Sequence, residues 1–315
     1  MQPSRRCNYD NQMPRPDPIA GLDGLYFAAK QLVDGLYTGR HASPLRGSGI
    51  EFHDYRPYTP GDDLRNIDWK RYGRTDRYYL KRYRRETDLN LHIMVDASAS
   101  MDFATLSGKP RDDRPTKFAV AQQLAAALAT LAIRHGDRAA MGVFDQRLRG
   151  LHPPTGSLRQ LQVMLADLEQ AKPVQGQANL ADSLGQVSHT LRGHKAAIAV
   201  VSDFLDDVEP MMTVFDRLRF AGHEVLVFQV LTPDELALPT ESRGLRMIDP
   251  ELGPAVNTRP QQVAASYDAL IQSHLTTLRR SLQARGMDDT LVNTSESLIG
   301  ALRRYLQQRA GQTRQ

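Results

Sequence analysis

Cysteine is almost missing from this chain: Cys7 is the only one in 315 residues. A single thiol excludes an intramolecular disulfide framework and any multi-cysteine zinc site, and it fits a reducing compartment. Long hydrophobic runs are missing too. None approaches the roughly 18–20 apolar residues that a membrane span needs, and the best candidate, residues 118–133, is alanine-rich and broken by Gln122 and Gln123. The first residues contain no apolar stretch of the kind a signal peptide carries. A soluble, cytoplasmic protein is therefore expected. Neither sign of charge dominates. Forty Lys and Arg stand against 36 Asp and Glu, a net charge of +4, so the overall balance does not require nucleic acid.

Familiar catalytic signatures are lacking as well. The sequence has no GxSxG elbow, no GxxxxGK[ST] phosphate loop and no GxGxxG after a strand. His223-Glu224 has no second histidine at zinc-protease spacing. A haloacid-dehalogenase-type phosphatase would need an aspartate two residues after Asp96, where Ser98 stands. The nine histidines do not pair at ligand spacing and read as surface or packing residues. No nucleophile–base pair is evident, and a non-enzyme is expected.

What the chain does have is a short apolar run, Leu91, Ile93, Met94 and Val95, that ends in Asp96-Ala97-Ser98-Ala99-Ser100. The run is strand-like. One carboxylate and two hydroxyls, each two residues apart, offer hard oxygen ligands that suit Mg²⁺, Mn²⁺ or Ca²⁺. The same residues could equally cap the helix that follows. A second very apolar run, residues 196–201, delivers Asp203 just past its end. Sites in open α/β sheets form where loops leave the carboxyl ends of strands. Asp96 and Asp203 would meet there if their strands are neighbours.

Taken in order, residues 1–20 form a polar, proline-bearing tail, and helical spacing predicts a helix over about 21–36. Residues 39–88 are basic and aromatic. Nine Lys or Arg fall between Arg65 and Arg85, with Trp69 and several tyrosines among them. That composition allows single-stranded nucleic-acid binding, but Asp62, Asp63, Asp68, Asp76 and Glu86 are mixed in. A solvated or partner-facing strand pair is favoured. From residue 89 the pattern alternates between strand and helix. Helices are predicted at 117–134, 157–170, 180–192, 208–221, 261–285 and 296–309, and strands at 139–144, 148–151, 196–201, 224–231 and 289–292. Residues 232–260 read as loops with a small hairpin. The fold class is α/β, a doubly wound, mostly parallel sheet with helices on both faces. The division is a module over 21–88, a main domain over 89–310 and a short tail over 311–315.

The D-x-S-x-S loop at Asp96, Ser98 and Ser100 resembles the metal-ion-dependent adhesion site (MIDAS) of a von Willebrand factor A-type domain. The upstream string Tyr58, Pro60-Gly61-Asp62-Asp63, Arg65 and Ile67-Asp68-Trp69-Lys70, joined to that loop, resembles the domain-of-unknown-function-58 family over about residues 40–300. The resemblance implies a non-catalytic, adaptor-like protein that works with a MoxR-type AAA+ ATPase in chaperone-like assembly or maturation. It implies a divalent cation, Mg²⁺ first, on Asp96, Ser98, Ser100 and Asp203, with an acidic partner side chain completing the shell. Asp102, Asn179, Arg65, Trp69 and Lys70 are the candidates for partner contact. One departure stands out: Ala178 in Gly176-Gln177-Ala178-Asn179-Leu180 occupies the place of the family's threonine. Water, or the amide oxygen of Asn179, would have to replace that hydroxyl. The competing readings are a metal-dependent hydrolase or phosphotransferase using Asp96 and Asp203, and nucleic-acid binding through Arg65–Arg85.

Overall fold

A computed structural model describes residues 24–38, 52–57, 72–73, 77–83, 89–105, 114–174, 178–191, 195–240, 245–248 and 255–312. Arg65, Trp69 and Lys70 lie outside the described residues, as do most of the other basic positions between 65 and 85.

Six strands form the central sheet: β3 (Asn90–Asp96), β4 (Arg138–Phe144), β5 (Leu148–Thr155), β6 (Ala196–Ser202), β7 (Glu224–Leu231) and β10 (Asp288–Asn293). Their spatial order is β10-β7-β6-β3-β4-β5. All pairings are parallel except β4 with β5. The exception follows from chain length. Only Asp145-Gln146-Arg147 joins β4 to β5, and a parallel return needs a crossover of a dozen or more residues. The mostly parallel α/β architecture expected from the strand–helix alternation is the one observed. Two further pairs lie apart from this sheet and are antiparallel: β1 (Phe52–Pro57) with β2 (Tyr79–Tyr83), and β8 (Leu245–Ile248) with β9 (Ala255–Thr258).

The central strands are buried on both faces, which is why β6 reads as the unbroken apolar run AAIAVVS. One face is covered by α1 (Gly24–Thr38), α2 (Lys117–Arg134), α3 (Leu158–Gln170) and α8 (Leu298–Gln312). α2 is buried nearly all round, because its alanines let it lie close to the sheet and to α1 at once. Leu25, Ala29, Val33 and Leu36 of α1 share one core with Ile93 and Val95. The other face carries α4 (Leu180–Thr190), α5 (Val208–Phe220) and α7 (Pro260–Ala284). Residues 233–236, expected as loop, form a one-turn helix, α6 (Pro233–Leu236). A capping box between Thr232 and Glu235, with proline at the first helical position, accounts for it.

At Gly142 on β4, the Met94 side chain of β3 and the backbone of β5 leave little room for a side chain. A methyl there would stand 3.0 Å from the thioether of the buried Met94 and 3.2 Å from the Gly150 carbonyl. Gly142→Ala is expected to destabilise the protein by about 1–3 kcal/mol, read as a lower urea midpoint at unchanged slope. An unchanged midpoint would show that Met94 moves aside freely.

Candidate functional site

β3 and β6 lie side by side in parallel, with Val95 opposite Val201. Their carboxyl ends therefore bring Asp96 and Ser202 together and place Asp203 one residue beyond. The Ser202 hydroxyl donates to Asp96 Oδ2 at 2.6 Å, and the Ser98 backbone N–H donates to Asp96 Oδ1 at 2.8 Å. The Oγ atoms of Ser98 and Ser100 are 3.1 Å apart. Ser98 precedes a 3₁₀ turn (Ala99–Asp102), yet its side chain makes no capping bond. Ser98 thus does not cap the turn through its side chain; its hydroxyl is within hydrogen-bond distance of the Ser100 hydroxyl instead.

The loop is held from both sides. Ala97 N–H donates to the Phe144 carbonyl, and Val174 N–H donates to the Ala97 carbonyl. The Asp203 turn is held as well. Gln229 Nε2 donates to the Asp203 carbonyl at 2.9 Å. Phe204 adopts a left-handed backbone, φ 50°, a conformation a bulky residue keeps only when its surroundings enforce it. Its carbonyl lies 2.7 Å from His274 Nε2, which must donate because a carbonyl can only accept.

Asp96, Ser98 and Asp203 are buried, and Ser100 is half-buried. Burial first, and then the neighbouring Asp203 carboxylate, push Asp96 from its ordinary 3.8 up to about 7, against the bonds from Ser202 and Ser98 that favour its charge. Among the described residues no three His, Cys, Asp or Glu side chains converge as a metal site. A cation here would rest on two hydroxyls as well as two carboxylates.

The sequence reading missed three members of this cluster. Ser202 is one. The others are Lys117 and Glu235. Lys117, the first residue of α2, is completely buried. Its Nζ donates to Asp203 Oδ2 at 2.7 Å and to Glu235 Oε1 at 2.6 Å. Glu235 uses its other oxygen, Oε2, to complete the capping box with Thr232. Burial lowers the Lys117 pKa, but Asp203 and Glu235 together outweigh it, so the ammonium is held above its ordinary value. One signal of Lys117 was present in the sequence. A lysine at the first position of a largely apolar helix opposes the helix dipole, which is unusual unless something local compensates.

The remaining candidates fall as follows. Asp102 is exposed at the end of the 3₁₀ turn. Asn179 is the N-cap of α4: its Oδ1 accepts from Asp182 N–H, and its Nδ2 donates to the Asp182 carboxylate. Its amide is engaged by Asp182 in this arrangement. Ala178 packs its methyl against the core on the sheet face that carries α4, α5 and α7.

The sequence profile described as "Protein of unknown function DUF58" matches residues 54–277. Two mycobacterial proteins, "Uncharacterized protein Rv1480" of Mycobacterium tuberculosis and "Uncharacterized protein Mb1516" of Mycobacterium bovis, are each 31% identical over 227 residues, covering 71% of this chain and 68% of theirs. Among solved structures, the conserved hypothetical protein BatB from Bacteroides thetaiotaomicron is 19% identical with a TM-score of 0.45, over 71% of this chain and 99% of that one. The SpRpn10 VWA domain is 10% identical with a TM-score of 0.40, over 67% of this chain and 91% of that one.

Proposed function

Starting from the fact that this chain belongs to the DUF58 family, we propose that it is a non-catalytic protein-interaction module whose docking point is the cleft of Asp96, Ser98, Ser100 and Asp203. The observation that carries this reading is the pair of serine hydroxyls, 3.1 Å apart, beside carboxylates from two adjacent strand ends. In an octahedral shell with metal–oxygen distances of about 2.0–2.1 Å, neighbouring ligands stand about 3 Å apart. The charges fit as well. Asp203 and Glu235 contact the Lys117 ammonium, and Asp96 stands close enough to Asp203 to feel its charge, so with all three carboxylates ionised two negative charges are left, which one divalent cation would balance. Asp96, Ser98, Ser100 and Asp203 are the residues that would hold it, with Mg²⁺ favoured over Mn²⁺ or Ca²⁺. When bound, such a cation supplies an electrophilic position for an acidic side chain of a partner.

Two exposed apolar side chains flank the cleft. Val174 is bonded through its backbone to the Asp96 loop, and Leu205 follows the Asp203 turn. They suit a partner segment in which a carboxylate is set among apolar residues. A MoxR-type AAA+ ATPase as that partner, a chaperone-like role and a cytoplasmic location are parts of the proposal that rest on the family resemblance. Among the described residues no helix is long and apolar enough to cross a membrane. Lys117 is fixed by two carboxylates, which leaves it unsuited to act as a base.

Calorimetric titration with Mg²⁺ is expected to give a binding isotherm for the wild type, weakened at least about tenfold in Ser98→Ala and lost in Asp96→Ala. Identical, featureless titrations of all three would sink the metal part. A pull-down in Mg²⁺ and in EDTA, with identification of the retained proteins, tests the partner. Retention that is the same with Asp203→Ala would place the docking surface elsewhere.

A further inference from the structure

Lys117 does not have the character of a residue retained for packing. It places a positive charge at a helix N-terminus, where the dipole disfavours it. It is buried completely, and a buried ion pair is often no more stable than an apolar side chain of similar volume. A methionine would fill the space without either penalty. The ammonium has three protons to donate, and two go to Asp203 Oδ2 and Glu235 Oε1. Phe103, at the end of the Asp96 loop, lies under the same nitrogen with its ring centre 5.9 Å away, and its carbonyl accepts the Lys117 backbone N–H at 3.0 Å. The lysine therefore touches the Asp96 loop, the Asp203 turn and the α6 cap together. One of its two carboxylates is a proposed metal ligand.

We propose that Lys117 is a built-in competitor of the divalent cation: its ammonium stands on Asp203, keeps the cleft assembled without metal, and holds metal affinity low. This rests on the reading of the cleft as a cation site. The physical reason is simple. A fixed positive charge repels a second cation bound to the same carboxylate, and the repulsion is strong where water is excluded. Removing the ammonium raises the negative charge facing the cation from two to three. The site is then tuned to bind metal only weakly, as a switchable contact requires, while its loops keep their shape.

The test is a calorimetric titration of the full chain with Mn²⁺, repeated with Lys117→Met and Lys117→Gln. The electron paramagnetic resonance of bound Mn²⁺ serves as a second readout. Both variants are expected to bind Mn²⁺ about tenfold tighter or more than the wild type. The gain should disappear in Lys117→Met/Asp203→Ala. Lys117→Gln keeps a hydrogen-bonding side chain, so it carries the test if the methionine variant does not fold, as judged by circular dichroism. Tighter binding by the variants than by the wild type supports the inference. If the wild type binds Mn²⁺ and the variants bind equally or more weakly, the inference is overturned and the cation site stands. If wild type and both variants are silent in both readouts, the cation site fails and the inference with it.

Discussion

Asp96→Asn is expected to stabilise the metal-free protein at pH 8, by on the order of 4 kcal/mol, although it removes a charge from hydrogen bonds that favour it. Asp96 is pushed from 3.8 up to about 7 by burial and by Asp203. A raised carboxylate binds its proton more tightly in the folded state, so folding becomes less favourable as pH rises from about 4 to about 7. At 1.36 kcal/mol per pKa unit, the shift accounts for the figure given. His92 works in the opposite direction. Burial, and then the nearby His223, lower it from 6.5 to about 4, and its stability contribution is lost as pH falls through that window. Among the described residues neither ring nitrogen of His92 has a hydrogen-bond partner. The two groups nearly cancel between about pH 4 and 6.5 in the wild type. In Asp96→Asn only the histidine effect remains, so the variant should lose stability on acidification where the wild type stays flat. Urea unfolding in EDTA at pH 4.5, 6 and 8 reads both effects. A variant no more stable than wild type at pH 8 would show that Asp96 carries no such strain. Mg²⁺ should narrow the gap at pH 8 by stabilising the wild type alone.

Asp203→Ala acts in the other direction. It leaves the buried Lys117 with Glu235 as its only carboxylate, and breaking a buried ion pair from one side typically costs about 3–5 kcal/mol. That full loss is expected in EDTA at pH 5, where Asp96 is protonated. At pH 8 part of it is offset, because removing Asp203 also relieves the repulsion that raises Asp96. Asp203→Asn keeps an acceptor for the Lys117 ammonium and should lose less at both pH values. A double-mutant cycle with Lys117→Met isolates the pair itself. Near-additive losses would mean that the 2.7 Å contact contributes little to stability.

Much of this arrangement can be read from the order of residues. The apolar run before Asp96 and the one before Asp203 predict two buried strands ending in carboxylates, because a strand buried on both faces shows no alternation. The spacing Asp96, Ser98, Ser100 puts three oxygen groups into one loop. Some of the missed structure also had local signals: the capping box of Thr232-Pro233-Asp234-Glu235, and a lysine placed against a helix dipole. The antiparallel β5 followed from a loop too short for any other return.

The sequence by itself determined most of the strands and helices of the central sheet and its two covering layers, and that Asp96 and Asp203 stand at strand ends. Local propensity and apolar periodicity report the face a residue turns inward, and that is a property of neighbours along the chain. Tertiary structure alone decided that β3 and β6 are adjacent, that Ser202 therefore bonds Asp96, and that Lys117 lies between Asp203 and Glu235. Those partners are separated by 106, 86 and 118 residues. Contacts at such distances depend on strand order and helix placement, which periodicity does not encode, and they define the charge of the cleft.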